Sequence, residues 1–384
     1  MSEATTQVTV HFTGAGAGDE ELSWGQQEIY RAMVRQGTWL PIGGISTPSP
    51  GATVDDIADE LRYLMSRYES MRTRLRFTAD GRPRQVVHAD GEITLEVVDT
   101  DDDPALVAAA VQRRYEHTDL DLEKQWPVRM AVIRRRGILT HQVSVFSHLV
   151  TDQAGGAVML AEVRARNSAP VAGPGPLAQA RWQQGAAGQR RSRAALRHYE
   201  SLLRALTPLP ADASTDRRTP RYQQAEFVSP ATLLAVRAIA ARLPADPATV
   251  LLTLVAIALT DTTGATAPLP LRPIVSNRFQ PGLATAVANI NQAGLCLLDV
   301  AGVDFEVAVE RTRRASLAAF KHAYHDPAAV AELIDRVSGE RGTDVDVRCF
   351  YNDRRTRPLT GPAPTLDDIT TALHRTTCAW SAEP

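Results

Sequence analysis

The chain has 384 residues and a formal net charge of -2, and 44% of its residues are hydrophobic and 22% charged. This length exceeds the size at which one hydrophobic core usually stops growing, which predicts two folded lobes, and the nearly neutral charge gives no long-range field to attract nucleic acid. Because no apolar stretch has membrane-spanning length and the N-terminus lacks a secretory signal pattern, the expected location is the cytoplasm.

Neither the cysteines nor the glycine-rich segment near the N-terminus predicts a metal or phosphate site. Cys296, Cys349 and Cys378 are far apart and lack the Cys-x-x-Cys spacing of zinc and redox sites, so reduced structural thiols are expected. The segment at residues 14–18 lacks the Lys-Ser/Thr ending of a phosphate loop and is followed by acidic residues. We interpret it as a flexible lead-in.

The first half of the chain alternates helical and strand patterns. Thr53 precedes apolar residues that recur every three or four positions up to Tyr68, and Asp56 can complete a capping box, so a helix is predicted to begin there. Two β-prone runs at residues 128–133 and 139–146 flank a short segment of arginines and a glycine, which predicts a hairpin.

A loop joins the second of these strands to the next helical pattern, which begins after two consecutive glycines. His148 and Asp152 lie on this strand-to-helix loop. Further on, residues 167–176 are rich in proline and glycine, which is typical of linkers. We place the lobe boundary there and predict an N-terminal lobe at residues 1–170 and a C-terminal lobe at residues 177–384.

The second half shows the same alternation of helices and strands. Helices are predicted near residues 177–206, 231–243, 249–259 and 305–323, and strands near residues 269–275, 293–300 and 345–351. The pattern predicts two mixed α/β lobes, without a convincing internal repeat.

His148 and Asp152 are the candidate residues for proton chemistry. A histidine at a strand end can titrate near neutral pH, and a carboxylate four residues later can fix the imidazole or hold the loop. Histidines and acids also occur at this spacing without a catalytic role, so the local sequence leaves a structural role open.

Three runs of residues occur in the order of one known family. Ser-Trp-Gly-Gln at residues 23–26 resembles the Ser-x-Ala-Gln signature that opens the condensation domains of nonribosomal peptide synthetases. Arg-Tyr-Glu-Ser-Met-Arg-Thr-Arg-Leu at residues 67–75 resembles their Arg-His-Glu-x-Leu-Arg-Thr-x-Phe motif. The run from Ser147 to Asp152 falls where the family carries His-His-x-x-x-Asp-Gly.

Weaker matches extend this resemblance into the second half. Trp182 with Tyr199 is similar to the aromatic-marked helical stretch that begins the family's second lobe. Asn-Arg-Phe-Gln-Pro at residues 277–281 is similar to the arginine-containing loop that faces the active site in this superfamily, and Asn291 falls near the position of a Val-Asn-Thr run. The resemblance covers about residues 20–355.

The resemblance implies an α/β fold of two chloramphenicol-acetyltransferase-like lobes around a central tunnel. It also implies amide or ester formation from an acyl thioester carried on the phosphopantetheine arm of a carrier protein, in natural-product biosynthesis. No bound cofactor is then required, and an acyl or peptidyl carrier protein in trans is the expected partner of a stand-alone, monomeric module. Since the chain stops at residue 384, earlier than complete family members, a shortened C-terminal lobe is expected.

The resemblance also implies roles around the loop. His148 matches the second motif histidine and is expected to orient or deprotonate the incoming amine or hydroxyl, while Asp152 braces the loop through an ion pair with Arg278. Two residues depart from the motif: Ser147 replaces a variable histidine, and Gln153 replaces a glycine beside the substrate channel. Both are expected to shape or support the site.

Gly155, Asn277 and Asn291 are candidates for lining the substrate tunnel. Gln153 either reshapes the acceptor side or retires the site, and three functions stay open. They are a carrier-dependent acyltransferase, a non-catalytic module that binds a carrier protein or tailoring enzyme, and an acyltransferase that uses free acyl-coenzyme A.

The charged residues of the 67–75 motif are expected to have a structural role. Arg67, Glu69 and Arg72 follow on the capped helix, where a buried network would hold the fold. A catalytic role is not expected for them.

Overall fold

The computed structural model describes residues 4–207, 223–355 and 361–380, which form a mixed α/β fold. The final four residues, on which the expectation of a shortened C-terminal lobe bears, lie outside the described residues. In the described ranges, none of the helices has the length and apolar character needed to cross a membrane.

Helices and strands alternate along the described chain. The α-helices are α1 (Trp24–Gln36), α2 (Val54–Arg67), α3 (Pro104–His117), α4 (Gln153–Ala165), α5 (Pro176–Gln184), α6 (Ala186–Ala205), α7 (Pro230–Ala240), α8 (Pro247–Thr263), α9 (Phe305–Lys321), α10 (Pro327–Arg341) and α11 (Leu366–Leu373). The strands are β1 (Ala4–Thr13), β2 (Gly18–Glu21), β3 (Pro41–Ser46), β4 (Thr73–Phe77), β5 (Pro83–Val87), β6 (Asp90–Asp99), β7 (Val128–Arg135), β8 (Ile138–Ser147), β9 (Ala225–Val228), β10 (Leu269–Val275), β11 (Gln292–Ala293), β12 (Cys296–Leu298), β13 (Phe350–Tyr351) and β14 (Thr377–Trp380).

The residues divide by their contacts into two compact units. The first comprises residues 1–193, 276–292 and 324–328, and the second comprises residues 194–275, 293–323 and 329–384. Two short segments from the second half of the chain therefore belong to the first unit. A buried cluster of Trp24, Leu283, Ala288, Ile290 and Tyr324 holds both of them there.

A five-stranded sheet forms the centre of the first unit, in the order β1-β6-β7-β8-β3. Strands β6 and β7 are parallel, and the other neighbours are antiparallel. Helix α2 packs against β1 and β6, and α3 packs against β7 and β8. The alternate residues of β8 that lie on the α3 side, such as Val143 and Val145, are fully buried.

Helix α2 confirms the predicted start signal. The Thr53 hydroxyl accepts a hydrogen bond from the Asp56 N–H, and the Asp56 carboxylate accepts one from the Thr53 N–H at 2.8 Å. Both bonds satisfy N–H groups that the helix itself leaves unpaired. Its apolar stripe, including Ile57, Leu61 and Met65, lies in the core.

The predicted hairpin is also confirmed, with a shorter turn than the sequence suggested. Arg136 and Gly137 have φ angles of 51° and 78°, which is the conformation of a two-residue type I′ turn between β7 and β8. Arg134 belongs to β7, and its guanidinium makes two 2.7 Å hydrogen bonds to the Asp99 carboxylate. The turn is therefore Arg136-Gly137 alone.

The glycine-rich segment at residues 14–18 is packed against the protein, in contrast to the flexible lead-in that we expected. A Cβ at Gly14 would lie 2.3 Å from the Ser66 carbonyl oxygen, and Gly16 has a φ of +83°. The fully buried Arg72 guanidinium donates hydrogen bonds to the carbonyl of Gly16 at 3.0 Å and to that of the preceding residue. Glycine is needed here because backbone must approach a buried arginine.

Of the charged residues of the 67–75 motif, Arg67 lies on the capped helix as expected, whereas Glu69 and Arg72 lie on a short 3-10 helix that follows it. Arg67 Nε donates to the Glu162 carboxylate of α4 at 2.7 Å, and its Nη1 donates to the Ala169 carbonyl at 2.8 Å. Burial raises the pKa of the Glu69 carboxyl, with the Arg72 charge acting in the opposite direction. These contacts join α2 to α4 and to the segment after it.

The second unit has its own sheet around β10, which pairs with β11, β12 and, in parallel, β13. Helix α9 packs against β10 and β12 and against α8, while β9 and β14 form a separate two-stranded sheet. The strand predicted at residues 345–351 is ordered as a strand only at β13. Val345 and Val347 are buried against side chains of the unit without joining a strand ladder.

Candidate active site

The loop between β8 and α4 is a tight turn fixed by backbone and side-chain hydrogen bonds. Ser147 ends β8 and is fully buried, and its hydroxyl donates to the Trp39 carbonyl at 3.3 Å and accepts from the Leu149 N–H. The His148 N–H donates to the Leu40 carbonyl at 3.0 Å, which extends the pairing with β3 by one residue. Ser147 therefore supports the turn that presents His148.

The imidazole of His148 is half-buried, and its Nδ1 faces groups of the protein. Its Nδ1 lies 3.0 Å from the carbonyl oxygen of Thr151. A carbonyl can only accept, so this contact is a hydrogen bond in the tautomer that carries its proton on Nδ1. In that tautomer the other ring nitrogen, Nε2, carries the lone pair that a general base requires.

Asn289 contacts His148, although the sequence pointed to Asn291 two residues later. Asn289 Nδ2 donates to the His148 carbonyl at 2.6 Å and lies 3.1 Å from its Nδ1. The side chain of Asn289 is almost fully buried, and its Oδ1 is buried without a hydrogen-bond partner among the described residues. Gly25, from the 23–26 motif, makes room for this segment, because a Cβ there would lie 2.2 Å from the Asn289 carbonyl oxygen.

Asp152 is fully buried and accepts three hydrogen bonds. Its Oδ1 accepts from the Gly155 N–H at 2.7 Å, which caps α4, and from Arg278 Nη2 at 2.5 Å, while Oδ2 accepts from the Ile290 N–H at 3.1 Å. An ionised carboxylate can only accept, and all of these partners are donors. Asp152 is thus held as a brace, with both carboxylate oxygens accepting from donors of the protein.

Arg278 links the brace to a second loop of the same unit. Besides its bond to Asp152, its Nη1 donates to the carbonyls of Ala286 at 2.8 Å and Leu283 at 3.3 Å. The structure therefore brings Asp152 and Arg278 together as one ion pair. The pair ties residues 283–286 to the N-terminus of α4, directly after the turn that carries His148.

Gly155 is needed for close packing at the start of α4. A Cβ at this position would lie 2.8 Å from Thr151 Oγ1 and 3.1 Å from Arg278 Nη2. Gln153 is the first residue of α4, and its side chain is exposed to solvent. The family motif has its glycine at the position of Gln153 in this chain. The glycine that the packing requires here, Gly155, lies two positions later.

The two asparagines proposed for the substrate tunnel differ in their contacts. Asn277 is fully buried with a φ of 55°, and its Nδ2 donates to the Ile290 carbonyl at 3.0 Å. Asn291 is half-buried, and its Oδ1 is buried without a hydrogen-bond partner among the described residues. Ile290 is therefore held at its N–H by Asp152 and at its carbonyl by Asn277.

The candidate site of this mixed α/β fold is thus one half-buried histidine on a turn that Asp152 and Arg278 brace. Residues 50–335 match the family model of the condensation domain. The chain belongs to the condensation-domain family, whose members are acyl-transferring enzymes.

Solved condensation domains share this fold. The structure titled for condensation domain-mediated chain release from the enacyloxin polyketide synthase has a TM-score of 0.68 and 20% identity, covering 96% of this chain and 73% of that one. SgcC5 from Streptomyces globisporus has a TM-score of 0.65 and 17% identity, covering 94% and 85%. A mutant of the starter condensation domain of rhizomide synthetase, solved in complex with C8-CoA, has a TM-score of 0.65 and 14% identity, covering 86% of this chain and 77% of that one. Among curated proteins, no sequence matches this chain significantly.

Proposed function

We propose that this protein is a condensation-type acyltransferase. It joins an acyl or aminoacyl group, delivered as a thioester on the phosphopantetheine arm of a carrier protein, to an amine or hydroxyl acceptor. The product is an amide or an ester in natural-product biosynthesis. The observation that carries this proposal is the His148 imidazole, whose Nδ1 is engaged by the Thr151 carbonyl at 3.0 Å so that Nε2 can accept a proton.

The chemistry requires one proton to move. The acceptor nitrogen or oxygen attacks the thioester carbonyl, its proton passes to His148 Nε2, and the C–S bond breaks as the new C–N or C–O bond forms. The proton then returns to the leaving thiolate, so the histidine is restored. Because a thioester is already activated, binding both groups in line and managing this proton suffices.

The remaining site residues support His148 and do not react. Asp152 and Arg278 hold the start of α4, and Asn289 holds the carbonyl of His148 itself. The thioester supplies the electrophile, so we propose that no bound cofactor is needed and that the partner is an acyl or peptidyl carrier protein.

The test is an acyl-transfer assay with a loaded carrier protein added in trans. His148→Ala is expected to lower the turnover about 10²- to 10⁴-fold, the usual contribution of a positioned general base. His141→Ala is the matched control, because His141 lies on β8, seven residues before His148, and its Nδ1 is 3.1 Å from the hydroxyl of the neighbouring Thr140. Equal product from wild type and His148→Ala would refute the catalytic assignment.

A second candidate is transfer from free acyl-coenzyme A. It is favoured by the complex of the rhizomide starter condensation domain with C8-CoA, which has the same fold as this chain. The same assay separates the two, because acyl-CoA without any carrier protein would then support full turnover. Binding of a carrier protein without turnover of either donor would instead indicate a non-catalytic recruitment module.

A further inference from the structure

A groove of about 550 Å³ lies in the first unit, and His148 is not among the residues that line it. It is formed by one face of β1 and β6, by the C-terminal end of α3, by the segment between α3 and β7, and by Arg74 of β4. We call it the Arg74 groove. Its volume falls in the range of pockets that bind small organic ligands.

The guanidinium of Arg74 is held in place by an aromatic ring. Its Cζ lies 3.6 Å from the ring centroid of Trp126, which is a cation–π contact. The indole is itself fixed, because its Nε1 donates to the Glu92 carbonyl at 2.7 Å and the ring of Phe12 packs edge-on against it with centroids 5.2 Å apart. A ligand would therefore meet a guanidinium that is already positioned.

Arg74 has no counter-ion among the described residues. Its Nε is buried without a hydrogen-bond partner there, and burial lowers the pKa of the guanidinium with no carboxylate acting in the opposite direction. Arg72, two residues earlier, is also buried, but it donates to three backbone carbonyls and lies beside the Glu69 charge. Because removing a charge from water is unfavourable unless the charge is paired, an anion at Arg74 would supply the missing partner.

The side chains that line the groove carry more positive than negative charge. The charged lining residues are Arg74, Arg114, Lys124, Arg129, Glu92 and Glu96. Glu96 is already bound by Arg114 at 2.5 Å, whereas Arg129 donates to backbone carbonyls at and after the end of α3, which do not neutralise its charge. Since the whole chain has a net charge of -2, the groove is a local positive region that attracts an anion.

One wall of the groove is a polar strip of the five-stranded sheet. Thr9 of β1 pairs with Thr94 of β6, and Gln7 lies two residues earlier on the same face of β1. All three side chains are exposed, and their hydroxyl and amide groups can donate and accept hydrogen bonds. The groove thus offers partners to polar atoms of a ligand in addition to its charged group.

The arginine of this groove belongs to this chain and not to the shared motif. In the run at residues 67–75, Arg74 falls at the position that the family motif leaves variable. The motif residues Arg67 and Arg72 bind groups of the protein, whereas Arg74 lines the groove.

We infer that the Arg74 groove is a binding site for a small organic anion. A carboxylate or phosphate group of the ligand lies on the Arg74 guanidinium, and the remaining polar atoms lie along the wall of β1 and β6. The planar guanidinium presents paired N–H donors that match either group. The site is separate from the proposed transfer at His148, so its test requires no turnover.

Calorimetric titration with three probes at low, constant ionic strength tests this assignment. Citrate is the carboxylate probe, pyrophosphate is the phosphate probe and sucrose is the neutral one. At least one of the two anions is expected to bind and sucrose is not, and the anion that binds more tightly identifies the preferred group. Arg74→Gln is expected to weaken anion binding about tenfold to a hundredfold, the usual contribution of hydrogen bonds to a charged group.

Arg76→Gln is the matched control. Arg76 lies two residues further along β4, pairs with Asp19 and does not line the groove. The substitution removes the same charge from the same strand and is expected to leave the affinity within about twofold of wild type. An equal loss in Arg74→Gln and Arg76→Gln would show that only the net charge matters, which would overturn the inference.

A second variant keeps the test valid if Arg74→Gln does not fold. Glu92 lines the groove with its side chain 70% exposed, and its carboxylate is 3.9 Å from His11 Nδ1, so Glu92→Gln is expected to leave the fold intact. Removing this negative charge is expected to tighten anion binding about two- to fivefold. Failure of both anions to bind wild type, or an anion affinity that neither Arg74→Gln nor Glu92→Gln changes, would refute the anion site.

Discussion

At the residue scale, the buried ion pair of Asp152 and Arg278 differs in kind from the many arginine–carboxylate pairs on the surface. The Asp152 side chain is fully buried and that of Arg278 is 11% exposed. In the surface pair of Arg311 and Asp299, the side chains are 43% and 50% exposed. Water and salt screen the surface pair, whereas the buried carboxylate depends on its protein partners.

Arg278→Ala is therefore expected to lower the free energy of unfolding of the first unit by about 3–5 kcal/mol, because it leaves a buried charge without its counter-ion. The two N–H donors that remain on Asp152 place the value toward the lower end. Arg311→Ala, the control, should change it by less than about 1 kcal/mol. Urea unfolding followed by tryptophan fluorescence measures both, and equal effects would show that the Asp152 pair is not a structural brace.

His148 and Asp152 could be identified from the sequence because they lie in one short motif. Asn289 could not. Asn289 and Asn291 are two residues apart in the same short segment, so the sequence does not show which of them reaches His148. The choice depends on a contact between residues 141 positions apart in the chain.

At the element scale, the start of α4 is determined by two neighbouring glycines with different surroundings. A Cβ at Gly155 would approach Thr151 Oγ1 and Arg278 Nη2, whereas a Cβ at Gly156 would meet no atom within 4 Å. The same substitution at the two positions thus separates packing from helix propensity.

Gly155→Ala is expected to destabilise the protein by about 1–3 kcal/mol, since the added methyl group forces Thr151 and Arg278 apart from the helix. Gly156→Ala should instead stabilise it by up to about 1 kcal/mol, because alanine lowers the entropy that the helix loses on folding. Thermal unfolding by circular dichroism distinguishes the two. A melting temperature that rises in both variants would show that Gly155 is not a packing requirement.

Local signals predicted some elements well and others poorly. The capping box at Thr53 and the turn at Arg136 and Gly137 act within a few residues, so the sequence contains the whole signal. The strand predicted at residues 345–351 depends on a neighbouring strand to pair with, and only β13 finds one, in β10. Alternating apolar residues indicate that side chains are buried, and Val345 and Val347 are buried. The alternation does not show that the segment pairs with another strand.

At the scale of the whole molecule, each unit has its own core. The second unit also contains a stacked pair of histidines that the sequence does not suggest. His198 of α6 stacks on His322 with ring centroids 4.5 Å apart. Burial lowers the pKa of His198, the backbone of Leu295 acts in the opposite direction, and the nearby Lys321 charge lowers the pKa further. The folded protein thus favours the neutral imidazole.

Because the pKa of His198 is lower in the folded than in the unfolded protein, the unfolded state binds more protons as the pH falls. The stabilising contribution of neutral His198 to the free energy of unfolding is therefore fully present above about pH 6.5, the ordinary pKa of histidine. It is lost as the pH falls toward the lower pKa of the folded state. His198→Gln is expected to flatten the dependence of unfolding free energy on pH between 5 and 8, as measured by urea titrations.

His374→Gln serves as the control for this experiment, since His374 lies exposed at the end of α11 in the same unit. It should leave the pH dependence as in wild type. A profile for His198→Gln that runs parallel to wild type would show that the buried imidazole does not contribute to acid sensitivity.

The sequence by itself determined the α/β class, most helix and strand positions and the loop that carries His148, because caps, turns and apolar periodicity act over a few residues. Only the tertiary structure decided that Asn289 contacts His148 and that Gly155 makes room for Arg278. Those features depend on approaches between segments more than 90 residues apart, such as the 126 positions between Asp152 and Arg278. Local sequence patterns do not report contacts between segments so far apart. The position of His148 could therefore be predicted from the sequence, whereas its contacts could be identified only from the tertiary structure.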